Sequence, residues 1–339
     1  MKNKLRFLII ILVLLLLVGC KKLSITYTDS ETGNEETLVV KETSDPEEVR
    51  KTLYAIMSCD VPFPSPASLS IDLDCTSKYT FSDGIESLEA KEKIKINILI
   101  DKDAKFRREL DLIASTYVEM IQQIEGTLSY DHKTEEIKKS TIKSYLSYGN
   151  QYCYFDVDEL LLKNTDLVPY AAKNYNGNKQ LVRMTNNIYN YSKSPLMDEE
   201  LAEELSRFLK GQMSIRESFT EEEFEKATQK LQGFIEKFNI EITEVKKTKV
   251  TFSLKIDEKS LKLMNISFVD ELAGLDSAET SLTVTIDLIH MKIIGGTYSM
   301  IMKYEKEYEC EETGSFTVTY DANIEKISQA EIDNAARYH

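Results

Sequence analysis

The sequence predicts an α+β fold in which amphipathic helices cover the apolar face of an antiparallel sheet. Three observations point there. Apolar and polar residues alternate with period two through residues 69–148 and again through 250–320, the pattern of strands with one dry and one wet face. Two amphipathic helical segments lie between these stretches, and a third precedes them. A sheet with a single apolar face has to bury it, and those helices are the available cover.

Residues 21–44 read as a tether holding a small hairpin, with SITYTD and TLVVKE flanking the turn-rich SETGNEE. Asp45-Pro46-Glu47-Glu48 then supplies an N-cap, a proline at the first helical position and an acidic first turn. Val49, Leu53, Ile56 and Met57 follow at helical spacing, and the helix ends before VPFPSP (61–66). Leu69, Ile71, Leu73 and Cys75 open the first strand series, Ile94, Ile96, Ile98 and Ile100 continue it, and Ile142, Leu146 and Tyr148 close it. DVDELLLKN (156–164) predicts a short helix, whereas 165–193, rich in Asn and Tyr, follows neither period.

Ser194-Pro195 opens a helix carrying Leu201, Leu205, Phe208 and Leu209. Thr220 and Glu223 make a capping box for the next helix, with Phe219 and Phe224 placed as a hydrophobic staple. Alternation returns in four segments. These carry Val250, Phe252, Leu254 and Ile256; Leu282, Val284, Ile286 and Leu288; Tyr298, Met300, Met302 and Tyr304; and Phe316, Val318 and Tyr320. Ser328 and Glu331 form a second capping box, flanked by Ile327 and Ile332.

The chain opens with MKNKLRFLIIILVLLLLVGCKK. Lys2, Lys4 and Arg6 precede an apolar run over residues 7–18. That run is shorter than the about 20 residues needed to cross ~30 Å of hydrocarbon, and it matches the apolar core of an export signal. Leu17-Val18-Gly19-Cys20 resembles the lipobox of bacterial lipoproteins. The resemblance implies cleavage between Gly19 and Cys20 and a diacylglycerol on the Cys20 sulfur. It also implies three regions: a signal peptide (1–19), a lipidated N-terminus and tether (20–44), and a single domain (45–339). The mature protein is then expected at the extracytoplasmic face of the cell membrane, where two or more acyl chains hold a protein stably and one does not.

Charge excludes one class of partner. The formal net charge is −15, and loss of Lys2, Lys4 and Arg6 with the signal takes it to −18. Such a surface repels nucleic acid. Cys59, Cys75, Cys153 and Cys310 remain after Cys20. They are either paired in disulfides, which an oxidising compartment allows, or are separate buried thiols.

The element order is helix, strands, helices, strands, short helix. It resembles the LolA/LppX-like group of exported lipoprotein and lipid carriers over most of residues 45–339. The closing stretch YDANIEKISQAEIDNA (320–335) is similar to the last strand and short helix of Gram-positive lipoproteins of this kind, with Ser328 and Gln329 where a Pro is usual. The resemblance implies a curved antiparallel half-barrel whose concave apolar face is covered by helices. It also implies a non-enzymatic protein that binds a lipid or other amphiphile in a cavity between sheet and helices. Phe252, Leu254, Tyr298, Met300 and Met302 are the candidate lining, since methionine adapts to irregular greasy ligands. The same residues also suit a closed core. The competing expectation is an interaction lipoprotein that holds an envelope partner protein through its polar sheet face or segment 165–193.

No catalytic or metal motif is present: the chain has no G-x-S-x-G, H-E-x-x-H, P-loop, G-x-G-x-x-G or EF-hand loop, and only His132, His290 and His339 as histidines. No cofactor or metal is therefore expected. Asp72 and Asp74 share the polar face of one strand, where solvated carboxylates are the ordinary finding. A hydrolase built from such carboxylates is the remaining rival.

Overall fold

The computed structural model describes residues 23–338 apart from 29–32, 60–63, 82–86, 106, 109–110, 112–113, 131, 148–149, 165–169, 185–195, 215, 258–274, 289, 291 and 305–307. Gly19 and Cys20 lie outside the described residues. In chain order the elements begin with strands β1 (Ser24–Thr28) and β2 (Glu35–Val39) and helix α1 (Pro46–Met57). The long strands β3 (Ser68–Phe81), β4 (Ser87–Ile100), β5 (Thr116–Tyr130) and β6 (Lys133–Ser147) follow, then β7 (Asn150–Asp156). Short helices α2 (Glu159–Asn164) and α3 (Tyr170–Tyr175) lead to strand β8 (Val182–Arg183) and to helices α4 (Glu199–Leu209) and α5 (Glu221–Lys237). After these come β9 (Glu241–Lys246), β10 (Lys249–Asp257), β11 (Leu275–Asp287), β12 (Lys292–Tyr304), β13 (Tyr308–Tyr320), α6 (Gln329–Asp333) and β14 (Ala336–Arg337). The protein is therefore α+β, built mainly from long antiparallel strands with a few helices. Among the described residues no helix is long and apolar enough to cross a membrane.

The chain divides into two compact units, one of Met1–Ser65 with Arg207–Glu305 and the other of Pro66–Ser206 with Lys306–His339. In the first unit β9 to β12 form an antiparallel ladder in sequence order, and β1 pairs with β2 as a hairpin. That hairpin is packed: Ile25 is buried, and α1 touches β1, β2, β9 and α5. The α1 helix starts where its cap chemistry dictates, with Asp45 accepting from the Glu47 N–H at 3.1 Å. It buries Val49, Leu53, Ile56 and Met57, the apolar stripe of its sequence. Helix α5 has its capping box in place: Thr220 Oγ1 accepts from the Glu223 N–H and Glu223 accepts from the Thr220 N–H. The Phe219 and Phe224 rings meet 6.3 Å apart, and Tyr54 of α1 packs on Phe224 at 6.0 Å.

In the second unit the strands run in the order β14-β8-β7-β6-β5-β4-β3-β13, antiparallel except for the short β14–β8 pair. Register is reinforced on the polar face by cross-strand ion pairs between directly opposite residues: Asp72 with Lys95 at 3.5 Å, Asp74 with Lys93 at 3.3 Å, and Lys78 with Glu89 at 3.3 Å. Each is exposed and contributes at most about 1 kcal/mol. Their larger effect is selective, since a one-residue slip would separate all three pairs and turn the isoleucines to water. One end of the apolar face is closed by α2 and α3, where Leu88, Ile124, Ile137 and Phe155 pack with Leu161 and Ala172.

Two sequence expectations change in detail. The helix expected to open at Ser194-Pro195 begins at Glu199, because the Asp198 carboxylate accepts from the Glu200 and Leu201 N–H groups and caps it there. Ser194 and Pro195 themselves are outside the described residues. The cysteine alternatives resolve to separate buried thiols at Cys59, Cys75, Cys153 and Cys310. Burial pushes the Cys310 thiol up to about 11 and also raises that of Cys153.

Candidate functional site

The long strands of the second unit present two faces of opposite chemistry, because successive side chains point to opposite sides. On the apolar side three rows cross β13, β3 and β4: Tyr320–Leu69–Ile98, Val318–Ile71–Ile96 and Phe316–Leu73–Ile94. All nine side chains are half-buried, in contrast to the closed end of the same face. Leu201, Leu205, Phe208 and Leu209 of α4 are likewise only half-buried, and no residue of that helix is fully buried.

The residues expected to line a cavity lie in the first unit, on one face of the β10–β11–β12 ladder. Leu254 and Tyr298 both pair with Leu282, Phe252 lies opposite Val284, Met300 opposite Thr280, and Met302 opposite Ala278. Phe252 is buried, and the other four are half-buried. The ladder thus brings the five together as a surface.

A cavity of about 460 Å³ lies elsewhere, on the polar face of the second unit. Its floor is a row of register partners, one from each of five strands: Thr319 of β13, Ser70 of β3, Asn97 of β4, Glu119 of β5 and Tyr145 of β6. Its roof is the segment after β13. That segment turns at Asp321, whose φ of 54° is a left-handed value that aspartate tolerates. The turn is held by Asp321 N–H to Ser68 O at 2.8 Å and by Ala67 N–H to the Asp321 carboxylate at 3.1 Å. The segment then crosses the sheet and is tied down where the Ile327 N–H donates to the Tyr117 hydroxyl at 3.1 Å. Ile324, Ile327 and Ile332 pack on Tyr117, Tyr145 and Tyr152. The second capping box holds α6, and Glu331, accepting from both the Ser328 hydroxyl and N–H, is kept below the usual carboxylate range.

Electrostatics within the row are ordered. Ser70, 3% exposed, donates to Asn97 Oδ1 at 2.8 Å, and Asn97, 6% exposed, donates from Nδ2 to Glu119 Oε2 at 2.7 Å. The chain satisfies the buried amide and fixes its orientation. Burial, reinforced by the Glu119 carboxylate, raises the Tyr145 hydroxyl above its ordinary value; burial does the same for Tyr117, partly offset by the Ile327 N–H. Glu119 and Tyr145 were not singled out from sequence. Each sits at an unremarkable polar position of an alternating strand, and only cross-strand register puts them side by side.

Other candidates are dispersed. Asp72 and Asp74 point the same way and are each paired with a lysine. His290 sits exposed beside Asp287 at 3.3 Å, and His132 occupies a turn with φ 61°. Among the described residues no group of three or more His, Cys, Asp or Glu side chains is arranged to hold a metal ion.

No protein family profile and no curated protein matches the chain. Among solved structures, it has a weak likeness to Pseudomonas aeruginosa OccK11 (OpdR), at 7% identity and a TM-score of 0.13, covering 75% of this chain and 62% of that one. Pseudomonas aeruginosa OccK2 (OpdF), solved in complex with glucuronate, is similar at 6% identity and a TM-score of 0.13, covering 73% of this chain and 58% of that one. The chain therefore spans less than two thirds of either protein, and at these TM-scores the likeness carries no argument.

Proposed function

We propose that the protein is a lipid-anchored, extracytoplasmic, non-enzymatic lipoprotein that binds a lipid or other amphiphile on its apolar sheet surface. In this reading the sheet is a curved half-barrel, and its helices cover the concave apolar face. The observation that supports it best is the block of nine half-buried apolar side chains on β13, β3 and β4. Nine contiguous apolar groups kept partly accessible lose the ~25 cal/mol per Å² that full burial would contribute. Apolar side chains left partly accessible in one contiguous block support a binding role for that face. The half-buried Leu254, Tyr298, Met300 and Met302 extend the same chemistry to the first unit.

Native mass spectrometry of residues 21–339, purified from bacteria without added ligand, tests the reading. The expected result is a co-purifying mass in the lipid range that organic solvent releases. A clean apo mass, unchanged after mixing with envelope lipids, would overturn amphiphile binding and leave an interaction lipoprotein as the better account.

A further inference from the structure

The cavity on the polar face has a feature that the packing of the protein does not use. Tyr145 is only 9% exposed, lines the cavity, and its hydroxyl makes no hydrogen bond to any described residue. The hydroxyl oxygen keeps some accessible surface although the residue as a whole is buried, so it is open to a partner from the cavity. Directly opposite it on β5 stands Glu119, and such cross-strand neighbours have Cβ atoms about 4.5–5.5 Å apart. Glu119 is already half committed: Asn97 holds Oε2, while Oε1 accepts no hydrogen bond from a described residue.

The surrounding charges decide the sign of the ligand. Asp72, Glu119, Glu325 and Glu331 face the cavity with Lys95 and Lys326. Asp72 and Lys95 pair with each other, and Glu331 is occupied by the α6 cap. Glu119, with one oxygen still open, and Glu325 outnumber Lys326, the one lining cation without an ion pair among the described residues, so an anionic ligand meets net repulsion.

We propose that this cavity is a binding site for a small hydrophilic amine, whose ammonium group donates to Glu119 Oε1 and to the Tyr145 hydroxyl. An ammonium has three donors and no acceptor, which matches two adjacent acceptors with one donor left for solvent or the roof. Charge-assisted bonds of this kind are the strong class. The raised titration of Tyr145 keeps its oxygen a neutral phenol, able to accept, throughout the physiological range. The volume, about 460 Å³, is within the ordinary range of small-molecule sites and admits molecules from an amino alcohol to an amino sugar. The site is on the opposite face of the strands from the apolar block, so it stands or falls independently of amphiphile binding.

The test is isothermal titration of the full purified chain with ethanolamine, putrescine and glucosamine. Glycerophosphoethanolamine and N-acetylglucosamine are the comparison probes. Saturable binding by at least one free amine with a Kd below about 1 mM is expected, with the N-acetylated sugar at least about tenfold weaker than glucosamine. If glycerophosphoethanolamine binds more tightly than ethanolamine, the amine comes from a lipid headgroup; the reverse order points to a free metabolite. Glu119→Gln and Tyr145→Phe should each weaken binding about tenfold at unchanged thermal midpoint. Tyr145→Phe removes a single oxygen with no packing volume, so it remains informative if Glu119→Gln does not fold. Failure of every amine to bind saturably with a Kd below about 1 mM, or binding that either folded variant leaves intact, would overturn the assignment.

Discussion

Gly126 occupies a position on β5 where no side chain fits. It lies opposite Ala90 of β4, next to a register shift against β6. A Cβ built there would come 2.0 Å from the Glu89 carbonyl oxygen and 2.9 Å from Ala90 Cα. Both are backbone atoms of a paired strand and cannot rotate away. Gly126→Ala is therefore expected to destabilise the protein by at least about 1–3 kcal/mol, the range for overpacked sites. Gly233 is the contrasting case. It is exposed within α5, and an added Cβ meets nothing within 4 Å. There Gly233→Ala removes an entropic burden of roughly 0.5–1 kcal/mol and should stabilise. Urea unfolding of the two variants distinguishes these effects as midpoint shifts of opposite sign at similar m. Shifts of the same sign would mean that close approach to β4 is not what requires glycine at 126.

At the scale of elements, the closing segment depends on few ties, and Tyr117 supplies a central one. Tyr117→Phe keeps the ring that packs against Ile324 and Ile327 but leaves the Ile327 N–H without its acceptor. The loss is about 1 kcal/mol, or roughly fivefold in a local opening equilibrium. Hydrogen exchange over residues 322–333 should accelerate by about that factor while the amides of β3 to β6 hold their rates. Acceleration spread evenly over the sheet would show instead that the hydroxyl supports global stability. Local chemistry explains why the elements themselves could be read from sequence. Asp45, Thr220 and Ser328 each put an acceptor where orphan helix N–H groups need one, and all three caps are present. Alternation likewise marked β3, β4 and β10 to β13. The start of α4 was misplaced because Asp198 is a better cap than the Ser-Pro pair before it. The polar row was hidden for a different reason. Thr319, Ser70, Asn97, Glu119 and Tyr145 are far apart in sequence and meet only through strand register, which no single strand encodes.

For the whole molecule, location is a matter of charge and anchor together. A net charge of −15 gives the chain as a whole no electrostatic attraction to anionic headgroups, so the proposed reading rests membrane attachment on hydrophobic insertion. The apolar run at residues 7–18 is too short to span comfortably, and cleavage at the lipobox-like Leu17-Val18-Gly19-Cys20 would remove it. Under the proposed reading, the acyl chains on Cys20 then carry the entire attachment, at ~0.8 kcal/mol per buried methylene. This makes a sharp prediction for Cys20→Ala. Metabolic labelling with an alkyne fatty acid should tag the wild-type chain and leave the variant untagged. Under that reading, intact mass should show the wild-type chain beginning at a modified Cys20, whereas the variant, without the lipobox cysteine, should retain residues 1–19. Detergent phase separation supplies the physical readout: treating an otherwise wild-type chain that carries a protease site inserted directly after Lys22, ahead of the packed β1–β2 hairpin, with that protease should move the folded remainder from the detergent phase to the aqueous phase. Equal labelling of the variant, or a protease-trimmed remainder that stays in the detergent phase, would place the membrane contact in the body of the protein and discard the anchor. That second outcome would make the apolar block of β13, β3 and β4 the first surface to test for the contact, turning the proposed ligand-binding face into a membrane-binding one.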